Sequence, residues 1–403
     1  MTTHPPEPDL TPAEVLARAE ALVPLLVERQ ADAEKRTYYS EETHEQFRKA
    51  GFYRILVPRK YGGYQFGIDT FLRVTMTLAR GCPSTAWMYC LGATHAIVAG
   101  TMFGAEAQEA IFRGGEFISP ATIVPSGTAV QDPAGGWTLN GTWNYCSGSP
   151  YATHFIGHTF AVGAEGEEPV PVMFIVPRDQ WQRLDDWGRQ LGLKASGSHS
   201  IRIENGHVPD EFVLPGVHLS LASADGFPGR ELHGSPEYGG GPLSYMTFEA
   251  AALAVGIARG ALDAYADLMR TRTTLLPPIT GRAQDPDYQF WYAEAAGMIG
   301  TAEAAVHDAI RQWEDRSAQG PGAFTREEDV RLTLICRHVI QLCWSAVETH
   351  LFPTAGSSSV REGERMERIW RDLSMMRSHA GFAVFLPTKA NREYTAVHFG
   401  TAA

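Results

Sequence analysis

Basic residues are scarce in this chain: 34 lysines and arginines stand against 46 aspartates and glutamates in 403 residues, a formal net charge of −12. Nucleic-acid affinity rests on clustered cations that replace counterions, so a nucleic acid is not an expected partner. Cysteine is scarcer still. Cys82, Cys90, Cys146, Cys336 and Cys343 form no CxxC pair, which fits neither a disulfide framework nor a zinc site, and all five are expected as reduced, packed thiols. No uninterrupted apolar stretch reaches the roughly 18 residues needed to cross a bilayer. The opening MTTHPPEPDLTPAEVL also lacks the basic-then-apolar pattern of a secretory signal. A cytoplasmic protein without a membrane partner is therefore the expectation. GxGxxG after a strand, GxxxxGK[ST] and HExxH are all missing, which removes the defining loop or ligand pair of Rossmann, P-loop and zincin proteins.

What is present divides the chain by texture. Thr11-Pro12-Ala13-Glu14 supplies an N-cap, a Pro at the first helical position and an acidic third residue, Ser40 caps a second helix, and Gly51 ends it. Helical patterning continues to about residue 115. From Phe117 the composition turns to Pro, Gly, Thr and Trp, with Asn140-Gly141 as a hairpin signal and strand-like runs in PVPVMFIVP and HSIRIENGHVP. After a Gly/Pro/Ser-rich passage, Leu253, Ile257, Ala261, Ala264 and Leu268 fall on one helical face, the first of four long helices. The expected class is α+β: an N-terminal helical domain over 1–115, a middle β-barrel over 116–225 and a C-terminal four-helix bundle over 226–403.

Several constellations have two readings. His154 and His158 share a strand face and are either metal ligands or barrel packing, with no third ligand nearby in sequence. Ser147-Gly148-Ser149, close to Trp143, is either a turn or a hydroxyl-and-aromatic wall for a flat cofactor. TAGSSS, residues 354–359, is either a loop or an anion-receiving nest. His95, late in an apolar helix, is by default a core histidine, and His379 in RIWRDLSMMRSHAGF a half-buried helix residue.

Five segments in order, GFYRILVPRKYGG, LARGCPSTAW with a His ten residues past its Thr, WTLNGTWNYCSGS, LGLKASGSHS and RIWRD followed by a His, resemble the acyl-CoA dehydrogenase superfamily. More narrowly they resemble its flavin-dependent monooxygenases, the oxygenase components of two-component 4-hydroxyphenylacetate and secosteroid phenol hydroxylases. Many dehydrogenases of the fold place a Glu base nine residues past the Arg of an RD pair. Here that residue is Ala380, and His379 precedes it.

The resemblance implies a homotetramer that uses reduced FMN, or FADH2, from a separate NAD(P)H:flavin reductase. It also implies O2 reacting to a C4a-hydroperoxide that hydroxylates an aromatic substrate. By the same resemblance Ser147, with Ser149 behind it, hydrogen-bonds flavin N5, and Trp143, Ser119 and Thr122 line the ring. Arg270 or Arg272 meets the phosphate, and Ser357 and Ser358 close over it from a neighbouring subunit. His379 is expected as the base that deprotonates a phenol and His95 as a substrate hydrogen-bonding partner. No metal is expected. The competing readings are N- or S-oxygenation on the same fold, dehydrogenation with Glu249 as a relocated base, and a scaffold that kept the fold without the chemistry.

Overall fold

Helix-start signals act where the sequence puts them. In a computed structural model, which describes residues 5–162, 168–223, 225–379, 381, 385 and 387–401, Thr11 and Glu14 cap each other's amides and α1 runs Pro12–Glu28. α2 (Gln30–Arg36) follows, and Ser40 caps α3 (Glu41–Lys49). Then come α4 (Ile68–Gly81), α5 (Pro83–Ala93), α6 (Ala96–Met102) and α7 (Ala105–Ile111). Strands occupy β1 (Thr128–Gln131), β2 (Trp137–Trp143), β3 (His154–Ala161), β4 (Val170–Pro177), β5 (Gln182–Arg183), β6 (Ile201–Val208) and β7 (Val213–Pro215). The chain returns to helix in α8 (Gly229–His233), α9 (Pro242–Thr271), α10 (Pro286–Ala318) and α11 (Arg326–Ser345). A π-helical turn at Ala346–Leu351 leads to α12 (Phe352–Ala355), α13 (Arg365–Arg377) and α14 (Arg392–His398).

The strands make one seven-stranded sheet in the order β5-β6-β2-β1-β3-β4-β7, antiparallel except for β1 against β3. Among the described residues β5 and β7 carry no ladder to each other, so the barrel is open along that seam. The expected hairpin at Asn140-Gly141 is not a turn. Both residues lie inside β2, where the pairing with β6 shifts between Leu139 and Gly141. The Asn140 carboxamide oxygen accepts the Asn205 amide at 2.7 Å across that bulge. A side chain on Gly141 would collide with the Trp143 ring at 2.8 Å, so glycine serves close packing here rather than chain reversal. The β1–β2 reversal is instead made by Asp132 to Gly136, closed by the Asp132 amide on the Gly136 carbonyl at 2.8 Å.

One contiguous apolar core runs through both helical regions and the sheet. α9 packs along α4 and α11, burying Leu253, Ile257, Ala261 and Ala264; each fully buried large aliphatic among them contributes about 1.5–3 kcal/mol. Arg326–Ala355 is long and apolar enough by length and composition to span a bilayer, but α11 packs against α9 and α10 as a core helix. All five cysteines are buried and free.

Candidate active site

The turn after β2 sets the site. Past Trp143 the chain passes through Tyr145 (φ 60°) and Gly148 (φ 94°), with the Ser147 amide on the Tyr145 carbonyl at 2.9 Å. A Cβ on Gly148 would lie 3.1 Å from Gly92 Cα, so this turn and α5 touch glycine to glycine. That approach lets Trp87 of α5 donate its indole N–H to Ser147 Oγ at 3.0 Å. The Trp87 ring also meets the His379 ring, centroids 5.8 Å apart and planes inclined by 58°. Residues 60 and 292 positions from Trp87 along the sequence thus meet on one indole.

His379 reaches solvent, yet the protein around its ring desolvates it enough to hold its pKa below 6.5. Its Nδ1 accepts the Gly381 amide at 3.1 Å, so the neutral ring carries its proton on Nε2. His95, between α5 and α6, is the opposite tautomer. Its Nδ1 faces the Ser119 carbonyl at 2.7 Å and must donate there, which leaves the Nε2 lone pair, and burial pushes its pKa down to about 4. The two rings thus present opposite nitrogens to their fixed partners, Nδ1 of His95 donating and Nδ1 of His379 accepting.

Ser119 and Thr122 sit in the extended segment ahead of β1, tied to α5 by the Ser119 amide on the Gly92 carbonyl at 2.7 Å. Thr122 Oγ1 is buried without a hydrogen-bond partner. Glu249 on α9 is 5% exposed and its Oε1 accepts the Thr94 hydroxyl at 3.1 Å.

Other expected residues lie elsewhere. Trp143 is committed to the sheet's core, its ring at edge contacts with Phe155 and Phe174 and its N–H on the His158 carbonyl at 2.9 Å; it is packing, not a cofactor wall. Ser149 donates to the Gly197 carbonyl at 2.9 Å and holds the turn. Arg270 is exposed and paired with Asp267 at 3.0 Å, and Arg272 is exposed past the end of α9. Beside exposed Ser357 and Ser358, Arg361 donates its Nε to the Ser358 carbonyl at 3.2 Å, and Arg282 lies against the preceding Ala355 and Gly356. Arg282 is the candidate for an anion here. It is buried, donates to the Ala355 carbonyl at 2.9 Å, and keeps an Nε with no partner. Its Nη2 would lie 3.1 Å from a Cβ on Gly356. His154 is half-buried and stacks on Phe117. Both nitrogens of His158 are used, Nδ1 on the Thr122 carbonyl at 2.7 Å and Nε2 on the Leu219 amide at 3.2 Å. Ala380 lies outside the described residues.

Two family models match: the acyl-CoA dehydrogenase N-terminal domain over residues 16–112 and the C-terminal domain over 249–384, together more than half of the chain. The chain belongs to the acyl-CoA dehydrogenase family. Among curated relatives it is 29% identical to a pigment production hydroxylase of a Rhodococcus species, covering 92% of this chain and 93% of that one. To the flavin-dependent monooxygenase oxygenase subunit HsaA of Rhodococcus jostii it is 28% identical, covering 91% and 94%. Among solved structures it superposes on the 3-HSA hydroxylase of Rhodococcus sp. RHA1 with a TM-score of 0.86 at 25% identity, covering 97% and 98%.

Proposed function

We propose that this family member is the oxygenase component of a two-component flavin-dependent monooxygenase, one that hydroxylates a phenolic small molecule with reduced flavin from a separate reductase and O2. The observation that carries the reading is Trp87, whose indole holds the Ser147 hydroxyl and contacts the His379 ring. A hydroxyl, able to donate and accept at once, suits a flavin ring nitrogen.

The residues fit a flavin. Thr122 Oγ1 is an orphaned buried hydroxyl and Arg282 Nε an orphaned buried donor, each the kind of atom that a ligand completes. Thr122, Ser119 and Ser147 would hold the ring system, while Arg282 with Ser357 and Ser358 would meet the phosphate end of a flavin in a neighbouring copy of a homotetramer. Reduced FMN is the proposed cofactor, with FADH2 as the alternative. When bound it supplies the electrons with which O2 is split, one oxygen atom going to the aromatic carbon and the other leaving as water.

The chain's own part is positioning and proton management. His95, neutral at working pH, offers Nε2 to a phenolic O–H, which draws the proton away from oxygen and raises electron density at the ortho and para carbons. His379, neutral with its proton on Nε2, donates. Trp87 and the glycine contact behind it keep water from the back of Ser147.

Stopped-flow mixing of reduced FMN-loaded protein with O2 tests the class. The oxidised-flavin band is expected to return with a delay, and its immediate appearance with stoichiometric peroxide would overturn the reading. With a phenolic substrate, His95→Ala should lower product formation about 10²-fold with FMN binding unchanged, on the usual scale of general acid–base assistance.

A further inference from the structure

Three segments far apart in sequence converge on one carboxylate. Asp372, on α13 and 2% exposed, accepts the Leu193 amide on Oδ1 at 2.6 Å and the Ser84 hydroxyl on Oδ2 at 2.9 Å. Ser84 lies in the first turn of α5, three residues before Trp87. Leu193 sits in the loop before β6 in a left-handed conformation (φ 52°), and its carbonyl accepts the Ser196 amide at 3.1 Å. Behind it, a Cβ on Gly192 would lie 2.1 Å from the Arg371 carbonyl oxygen, so loop and helix meet backbone to backbone. Arg371 reinforces the contact, donating to the Leu191 carbonyl at 3.1 Å and to Glu34 at 2.9 Å.

The same loop carries a chain of buried hydroxyls. Ser196 Oγ and Ser198 Oγ are 2.7 Å apart, and Ser198 Oγ and Ser147 Oγ are 2.7 Å apart. A hydroxyl has one proton and two lone pairs. If the chain ran from Ser147 towards Ser196, the proton of Ser196, fully buried and among the described residues bonded through its hydroxyl only to Ser198, would have no acceptor, and if Ser198 accepted from both neighbours its own buried proton would have none. A buried donor left unmade costs about 1–3 kcal/mol. The chain therefore runs from Ser196 to Ser198 to Ser147. Ser147 then accepts twice, from Ser198 and from the Trp87 N–H, and its own proton points out of the chain.

We propose that Asp372 is a positioning residue. By tying α13, the start of α5 and the loop before β6 into one unit, it holds the Ser196–Ser198–Ser147 chain so that Ser147's proton is presented to the flavin. This rests on the reading of Ser147 as the residue at the flavin ring. Asp372 touches neither flavin nor substrate and acts through Leu193 and Ser84.

The full-length chain is compared as wild type, Asp372→Ala, Asp372→Asn, Ser84→Ala, Ser198→Ala and Ser147→Ala. In flavin-free protein, amide hydrogen exchange over residues 191–200 should quicken about 10-fold or more in Asp372→Ala, the loss of a buried hydrogen bond that leaves the Leu193 amide without its partner. Asp372→Asn should restore it, since an amide accepts from Leu193 through oxygen and donates to Ser84 through nitrogen. In protein loaded with oxidised FMN, Asp372→Ala and Ser198→Ala should shift the flavin absorption band in the same sense as Ser147→Ala, with FMN affinity close to wild type.

Wild-type exchange and an unshifted band in Asp372→Ala overturn the proposal. Should that variant fail to fold, Ser84→Ala, which cuts one of the two ties, and Ser198→Ala, which breaks the chain, decide it by the same two readouts. An unshifted band in Ser147→Ala overturns instead the placement of Ser147 at the flavin, and exchange over 191–200 still reports separately whether Asp372 holds the loop.

Discussion

At Glu249 the folded chain keeps a proton that the unfolded chain gives up. The carboxyl is buried between α9 and the end of α5, with the Thr94 hydroxyl on Oε1, Tyr245 Oη 2.6 Å from that same hydroxyl, and the Cys90 thiol nearby. Burial pushes its pKa from 4.5 up to about 8, the Thr94 hydrogen bond opposing. Between those two values the folded state binds more protons than the unfolded state. This contribution to stability is therefore complete below pH 4.5 and is lost progressively as pH rises to about 8. Glu249→Gln copies the protonated acid and has nothing to titrate. Its melting temperature relative to wild type should climb across that window and level off above it; a constant difference would contradict the assignment. Residue type alone left Ser147, His95 and His379 with a bland reading each, and it was the family resemblance that made them and Glu249 candidates in the sequence. Arg282 was not legible. What distinguishes it from Arg270 and Arg272 is burial under residues 354–359, a tertiary fact with no local pattern. The tautomers of the two histidines were equally hidden, that of His95 being set by Ser119 from another segment and that of His379 by the Gly381 amide, whose direction only the local chain path gives.

Between elements, the contact that matters most for the site has no side chains in it. Gly148 needs both its positive φ and its missing Cβ to let the turn after β2 rest on α5 at Gly92. Gly148→Ala should cost about 1–3 kcal/mol in urea unfolding, from backbone strain and overpacking combined. It should also push Trp87 away from Ser147, which a red-shifted, more quenchable tryptophan emission would register. Wild-type stability and emission would count against the contact. Helices were readable because caps and apolar spacing are local, and the same locality misled at Asn140-Gly141. That dipeptide is a hairpin signal in isolation, whereas here Gly141 is needed to make room for Trp143 and Gly127. The actual reversal, DPAGG, has comparable turn chemistry, so only the pairing of β2 with β6 decides between them.

For the molecule as a whole, the surface carries a conspicuous apolar tip. Between α9 and α10 a short hairpin, bridged at Thr273 and Gly281, carries Leu275, Leu276 and Ile279, which are 85%, 78% and 58% exposed. An apolar tip of this kind in water is a site for contact with another protein surface, and Arg282 follows it directly in sequence. In the proposed tetramer the tip of one copy would pack on the next and bring Arg282 to its flavin. Light scattering should give a mass of four chains for wild type. Leu275→Asp with Leu276→Asp should lower both that mass and FMN affinity together, and a monomeric wild type that binds FMN fully would refute this. The order of the three regions along the chain could be read from texture because each keeps one periodicity over many residues; how copies meet could not, since no local pattern encodes a partner.

The junction at Asp372 has a consequence in time as well as in space. Its partners, Ser84 and Leu193, are 288 and 179 positions away along the chain, so the loop to be closed is among the longest the molecule contains. Neither helical region nor the sheet can complete it alone. During synthesis the amino-terminal helices and the sheet emerge first, with the serine loop bonded to Thr37 and to the turn after β2 but not yet to α13, and that helix arrives to fasten what was made before it. Capacity for flavin is on this account a late acquisition of the chain, gained as a unit when α13 docks rather than accumulated as each element forms.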